Sequence, residues 1–262
     1  MANWNHFYLV RIEFLGFRYH GWQKQKGLKS VHSMIDKTLL FVLEHNNFRT
    51  LGCGRTDAKV SADDYAFELF CMDPIIPEQL LHRLNRNLPS DIRTKSVMEV
   101  NANFNIIQDA HIKEYHYLFS FGEKSHPYNA PLIRDFGKLL DIGKMIDAAS
   151  VFEGKHTFKR YVSKPSAGVN FERDILKSVI EPQNKLKGNL IPEHSYVFKV
   201  SSSGFMRYQV RLMMGALVDI GRGVWTVDDL IESLSNPNGS QIKHVAPSSG
   251  LVLHRVEFDN QD

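Results

Sequence analysis

From His6 to Phe14 the chain alternates, with Tyr8, Val10, Ile12 and Phe14 on one side and Arg11 and Glu13 on the other. A period of two is that of a strand with one buried face. Val31, Met34, Ile35, Leu39 and Val42 then fall at helical spacing behind Ser30, a suitable N-cap. Short strands are expected around Phe48 to Leu51 and from Tyr65 to Cys71, the second stopped by Pro74. Pro77 opens a second helix through Leu80, Leu81 and Leu84 that ends before Pro89. Ile92 to Val100 is again a strand. The order strand, helix, strand, strand, helix, strand is an α+β pattern with two helices on one sheet.

The second half repeats the theme more loosely. Tyr115 to Phe121, Ile175 to Ile180, Tyr196 to Ser202 and Leu251 to Phe258 read as strands. Helices are expected over Ile142 to Phe152, closed by Gly154, over Phe205 to Ile220, and over Val227 to Leu234. The stretches 155–170 and 183–189 read as loops. The domain boundary falls within 102–112. It divides the chain into an N-terminal α+β subdomain, 1–105, and a C-terminal one, 106–262.

Composition narrows the class. With 262 residues and 43% hydrophobic positions, the chain can bury a sizeable core. A net charge of +3 points only weakly to a polyanionic partner. Cys53 and Cys71 make no disulfide framework and read as reduced thiols of a cytoplasmic protein. Met1 to His6 shows no basic segment followed by a long apolar run, so no signal peptide is expected. The longest apolar stretch, near Leu212 to Ile220, is too short and mixed to span a bilayer. Twelve histidines include no close ligand set, so no metal is expected. Gly52 and Gly54 do not form a dinucleotide loop, because its third glycine would fall on Asp57.

The stretch Gly52-Cys53-Gly54-Arg55-Thr56-Asp57-Ala58 sets a carboxylate among small residues. A backbone of that kind can approach a bulky ligand closely, with Asp57 as the reactive group and Arg55 beside it. It is equally the composition of a turn whose Asp caps the next segment. Lys24, Lys26 and Lys29 cluster beside Trp22, and Lys155, His156, Lys159, Arg160 and Lys164 form a second cluster. Each is a patch for phosphates or a solvated charged loop.

Arg55-Thr56-Asp57-Ala58 with Val60-Ser61-Ala62 resembles the catalytic motif of the TruA family of tRNA pseudouridine synthases. That motif runs Arg-Thr-Asp-Ala-Gly-Val-His-Ala in bacterial members, with Ser for His in eukaryotic ones. Ser61 follows the second form, and Lys59 stands where a small residue, usually Gly, is found. Five further stretches resemble family motifs in the family's order: Tyr19 to Gln25, Asn85 to Ile92, Lys113 to Tyr117, Phe205 to Arg211 with Gly215, and Ala246 to Leu253. Lys59 is one departure from the pattern, and a second lies further on. Phe104-Asn105-Ile106-Ile107 replaces a Phe-His-Ala-Arg stretch, so its Arg is lost.

The resemblance implies two α/β subdomains with mainly antiparallel sheets joined side by side, helices on one face, and a catalytic cleft between the halves. It implies Asp57 as the nucleophile, Arg211 as its ion-pair partner and Tyr115 as the residue against the target base. On a helical wheel Arg211 sits at the edge of the stripe of Val210, Met213, Met214 and Leu217. By the same resemblance Arg55 enters the space left by the flipped base and Leu251 and Leu253 line the pocket. Thr56, Gln23, Lys24, Gln25 and Arg207 are the remaining expected RNA contacts. Uridine isomerisation in the anticodon stem-loop of tRNA is implied, with tRNA as partner, a homodimer, and no cofactor. There are three rivals: the same chemistry on another RNA site, a non-catalytic RNA-binding paralogue or tRNA-folding chaperone, and a generic α+β RNA-binding module, which the six ordered motifs argue against.

Overall fold

The computed structural model describes residues 4–259 except Lys138, Ala167 and Asn189. Met1 to Asn3, part of the stretch read for a leader, lies outside the described residues. So do Ala167 and Asn189, which fall in the two expected loops.

The first helix and its neighbours follow the sequence closely. Strand β1 (His6–Phe14) leads to helix α1 (Val31–Leu43). The Ser30 hydroxyl accepts from Ser33 N–H, and the Ser33 side chain returns the bond in a capping box. Val31, Ile35, Leu39 and Val42 are buried, as their spacing requires. Then come β2 (Phe48–Gly52), β3 (Ser61–Cys71), α2 (Pro77–Asn87) and β4 (Ile92–Val100). Strand β1 lies between β3 and β4, antiparallel to both. This central place explains why Leu9, on the second face, is as buried as Val10 and Ile12. α2 buries Leu80 and Leu84.

The second half comprises β5 (Ala110–Ser120), the short β6 (Arg134–Asp135), α3 (Ile142–Ala149), β7 (Gly154–Thr157), β8 (Glu172–Pro182), β9 (Ser195–Ser202), α4 (Gln209–Gly221), α5 (Val227–Ser235) and β10 (Leu251–Phe258). β9 lies between β5 and β8 and is antiparallel to both, β7 pairs β8 antiparallel, and β6 pairs β5 in parallel. The fold is α+β with mainly antiparallel pairing. No helix among the described residues is long and apolar enough to cross a membrane.

The chain forms two compact units. One comprises 1–111 with 253–262, the other 112–252. The break at 111/112 lies inside the expected boundary zone of 102–112, and the units differ from a division at 105/106 in two respects. The first unit extends six residues further, to 111, and it reclaims the closing strand. The physical reason is contact. Arg11 donates to Val256 O at 3.0 Å, the Phe104 and Phe258 rings meet edge to face at 5.6 Å, and Asp259 N–H donates to Asp109 O at 3.0 Å.

Three other expectations shift. The helix expected over 142–152 is α-helical only to Ala149 and ends in a 3-10 turn at Ser150–Phe152. The stretch expected as a loop from Lys155 contains most of β7. The helix expected from Phe205 begins at Gln209, because Tyr208 turns left-handed (φ 66°) and Gln209 Oε1 accepts from Met206 N–H at 2.9 Å.

Candidate active site

In the first unit, Asp57 sits on the loop between β2 and β3, partly exposed, with Arg55, Ala58 and Lys59 exposed around it. Side chains and backbone from other segments fix the loop on both sides of Asp57. Tyr65 donates its hydroxyl to Gly54 O at 2.5 Å. Cys53 N–H donates to Ala66 O, Lys59 N–H to Tyr19 O at 3.0 Å, and Val60 N–H to Asp57 O. Gly16 N–H donates to the Ser61 hydroxyl at 2.9 Å. The loop also lies tight against its neighbours. A Cβ on Gly21, whose φ is +78°, would fall 2.2 Å from Thr56 O, and one on Gly52 would meet the Tyr65 hydroxyl at 2.1 Å. Only glycine fits these approaches. The Thr56 hydroxyl is buried without a hydrogen-bond partner among the described residues.

Beneath the loop lies a stack of aromatic rings. Trp22 is buried and lies 4.3 Å from Tyr65 and 4.9 Å from His32, nearly parallel to the latter. Burial keeps the His32 imidazole below its ordinary pKa, so it is neutral at pH 7. Its Nε2 meets the Thr50 hydroxyl at 2.8 Å, Thr50 donates to Asp36, and Asp36 is ion-paired with Lys24. Gln25 donates to His20 O at 3.1 Å, and Gln23 is partly exposed. A second brace comes from Asp91, which receives a bidentate hydrogen bond from Arg18 and a third bond from Tyr19 at 2.6 Å. Burial alone would raise the Asp91 pKa; the Arg18 and Tyr19 bonds outweigh it and hold the carboxyl below its usual value. Burial and this same Asp91 bond push the Tyr19 hydroxyl up to about 12.

In the second unit, Tyr115 stands on β5 opposite Val200 of β9, partly buried, with its ring edge-to-face on Phe205 at 5.3 Å. Tyr117, two residues on, is fully buried and donates its hydroxyl to Pro247 O at 2.6 Å. Burial raises its pKa well above the usual phenol value. Arg211 lies in the first turn of α4, partly buried as its wheel position suggests. Its Nε donates to Ala246 O at 2.8 Å, and Ala246 N–H donates back to Arg211 O at 3.0 Å. Its guanidinium carbon lies 4.5 Å from the centre of the Tyr208 ring, and that of Arg207 lies 5.2 Å away. Gly215 permits the same closeness one turn on, since a Cβ there would fall 1.8 Å from His244 O. Gly250 fits against Leu118 O and the Tyr117 ring in the same way.

Comparison with known proteins gives this geometry a family. A family model described as tRNA pseudouridine synthase matches residues 148–259. The tRNA pseudouridine synthase A of Pseudothermotoga lettingae is 31% identical over 251 residues, covering 96% of this chain and 99% of its own. That of Solibacter usitatus is 30% identical over 254 residues, covering 95% and 98%. That of Limosilactobacillus fermentum is 28% identical over 257 residues, covering 97% of each. This chain belongs to the tRNA pseudouridine synthase A family.

Family membership and coordinates together sort the motif residues by what they touch. Tyr19, Gly21 and Trp22 touch the Asp57 loop and Asp91 braces Tyr19; Gly215 and Ala246 pack the start of α4 against the 244–246 segment, and Tyr117 and Gly250 fix the segment that follows. Leu253 (2% exposed) and Leu251 are both buried. Lys59 occupies a left-handed backbone (φ 68°), which explains why a glycine suits that position in the family. Lysine takes that conformation here, and its ammonium lies over the Phe17 ring at 5.4 Å. In the departing segment, Ile107 is exposed while Ile106 is fully buried beside Glu68. In the second basic cluster Lys155 and Lys164 are exposed and His156 and Lys159 partly so, but Arg160 is not part of a surface patch. Arg160 is buried, with its guanidinium on Glu232 at 2.6 Å and on Ser240 O at 2.8 Å.

Three residues of interest carried no signal of their own in the sequence. Tyr65 sits in a strand that reads as ordinary core, and its hydrogen bond to Gly54 is visible only in three dimensions. Phe205 and Tyr208 lie inside a recognised motif, yet helical periodicity assigns both to a helix they do not join.

Proposed function

We propose that this chain is a tRNA pseudouridine synthase that isomerises uridines on the 3′ side of the anticodon stem-loop. The observation that carries the reading is Asp57. It is a partly exposed carboxylate on a loop whose backbone is fixed on both sides by Tyr65, Tyr19 and Ser61. A nucleophile held this way loses little freedom when a base arrives.

The reaction breaks the bond from ribose C1′ to base N1, turns the base, and forms a bond from C1′ to C5. The C5 proton leaves and N1 gains one, so atoms balance without oxidant, reductant or cofactor. Asp57 is the nucleophile. Tyr115 lies against the base and takes part in moving the C5 proton. Arg211 supplies the positive charge of the reading, in the planar form that suits a carboxylate or a substrate oxygen. Arg55 occupies the gap left by the flipped uridine, whose extrusion costs a few kcal/mol. Thr56, with its buried unpartnered hydroxyl, contacts the substrate. Gln23, Lys24, Gln25 and Arg207 hold the RNA, and Leu253 lines the base pocket. The reading includes a homodimer acting in the cytoplasm.

The test is Asp57→Asn in the purified protein with tRNA. We expect normal folding, retained tRNA binding and a loss of product of about 10³-fold or more. Substantial turnover by this variant sinks the mechanism. Pseudouridine mapping in cells with and without the gene then checks the target. Loss confined to the anticodon stem-loop supports the proposal, loss elsewhere points to another RNA, and no change points to an RNA-binding relative.

A further inference from the structure

We propose that Tyr208 is a positioning residue that fixes the Arg211 guanidinium; the inference rests on the functional reading of Arg211 given above. Tyr208 is the N-cap of α4, and its backbone is left-handed (φ 66°, ψ 3°). That conformation favours glycine and asparagine, and a bulky aromatic residue rarely adopts it. Its side chain forms no cap hydrogen bond, so capping does not explain the choice of tyrosine.

The surrounding turn is over-determined, as a strained residue requires. Met206 N–H donates to Gln209 Oε1 at 2.9 Å, and Gln209 is fully buried. Gln209 N–H donates to Met206 O, Leu212 N–H to Tyr208 O, and Ser163 N–H to Arg207 O. What this turn achieves is the placement of the Tyr208 ring. The Arg211 guanidinium lies 4.5 Å from its centre, within cation–π range, and Arg207 lies at 5.2 Å.

Arg211 is thereby held in two directions. Its Nε is directed at Ala246 O, which sets the rotation within the guanidinium plane. The Tyr208 face sets the tilt of that plane. A carboxylate or substrate oxygen is then met by the Nη edge in one orientation, which is what planar bidentate recognition needs. A long flexible side chain gains from such pre-organisation in rate rather than in affinity.

The experiment compares Tyr208→Asn with Tyr208→Phe in the full chain. Asparagine accepts the left-handed backbone but removes the ring; phenylalanine keeps the ring. Asn should melt at or above the wild-type temperature, lower kcat by about tenfold and leave KM for tRNA within about twofold. Phe should stay within about twofold of wild type in kcat. In the Arg211→Lys background, Tyr208→Asn should add little further loss. The readout independent of activity is the NMR signal of the Arg211 Nε–H group. Ring current should shift it in wild type and Phe, and the shift should vanish in Asn. Full kcat in Asn, equal loss in Asn and Phe, or an unmoved NMR signal would each overturn the proposal. If wild type makes no pseudouridine yet the NMR shift depends on the ring, the functional reading fails and the positioning stands.

Discussion

The Asp57 loop and the first turn of α4 each present a charged side chain, but they become rigid by different routes. Asp57 has no regular secondary structure. Its backbone is held by Tyr19 and Gly21 from a segment distant in sequence, by Tyr65 of the following strand, and by the bond from Gly16 to Ser61. Arg211 lies in a helix whose residues from Leu212 to Val218 are all buried, so its backbone is fixed by the core itself and only its side chain needs outside help. Substitutions that displace the backbone of the first should change chemistry before stability, and those in the buried body of the helix behind Arg211 should do the reverse.

A pair of glycine variants tests that contrast most severely. Gly215→Ala would press a methyl 1.8 Å from a backbone carbonyl inside the core of the second unit. We expect a loss of about 3 kcal/mol or more, seen as a large drop in the urea midpoint. Gly21→Ala would push on the Thr56 carbonyl at the surface loop, from a φ that alanine disfavours. It should cost only about 1–2 kcal/mol in the same titration but about 10²-fold in product formation, because small displacements of reacting groups are costly. Equal stability loss in the two variants, with activity spared in Gly21→Ala, breaks the comparison.

The strand that follows the loop carries a pH signature that sharpens it. Glu68 is 2% exposed, and burial raises its pKa to about 7. The folded state therefore holds this proton more tightly than the unfolded chain. The contribution of Glu68 is most favourable below about 4.5, falls as pH rises to about 7, and is flat beyond. The decline is at most about 3 kcal/mol. Glu68→Gln should remove it, while Asp91, whose pKa is lowered, keeps the opposite loss at strongly acid pH. Chemical denaturation at a series of pH values checks this. A decline that persists in Glu68→Gln refutes it.

The smallest effect concerns Lys59. Glycine relieves its left-handed backbone (φ 68°), and Lys59→Gly should stabilise by about 1 kcal/mol, measured in the same denaturation. A loss of stability would mean that the Lys59–Phe17 contact at 5.4 Å outweighs the strain.

Much of this was legible in the sequence because it is local. Ser30 as a cap, Pro77 as a helix start and the buried stripe of α1 need only neighbours within one turn, and each is found as expected. The motif around Asp57 marked the loop, but not why its glycines are there. The approaches of Gly21 to Thr56 and of Gly52 to Trp22 are long-range and have no periodicity. Arg160 was misread because its partner Glu232 lies 72 positions away. The start of α4 was misread because apolar spacing continues back to Phe205 while the backbone reverses at Tyr208.

The closing strand has a consequence for synthesis. Residues 253–258 complete the unit that carries Asp57, while the unit between them and 111 is continuous in sequence. On the ribosome the usual order of maturation is then inverted. The earlier-made half must wait, one strand short, until the later-made half has emerged and can already have folded. Until that strand arrives, the nascent chain carries Asp57 on an unfinished scaffold.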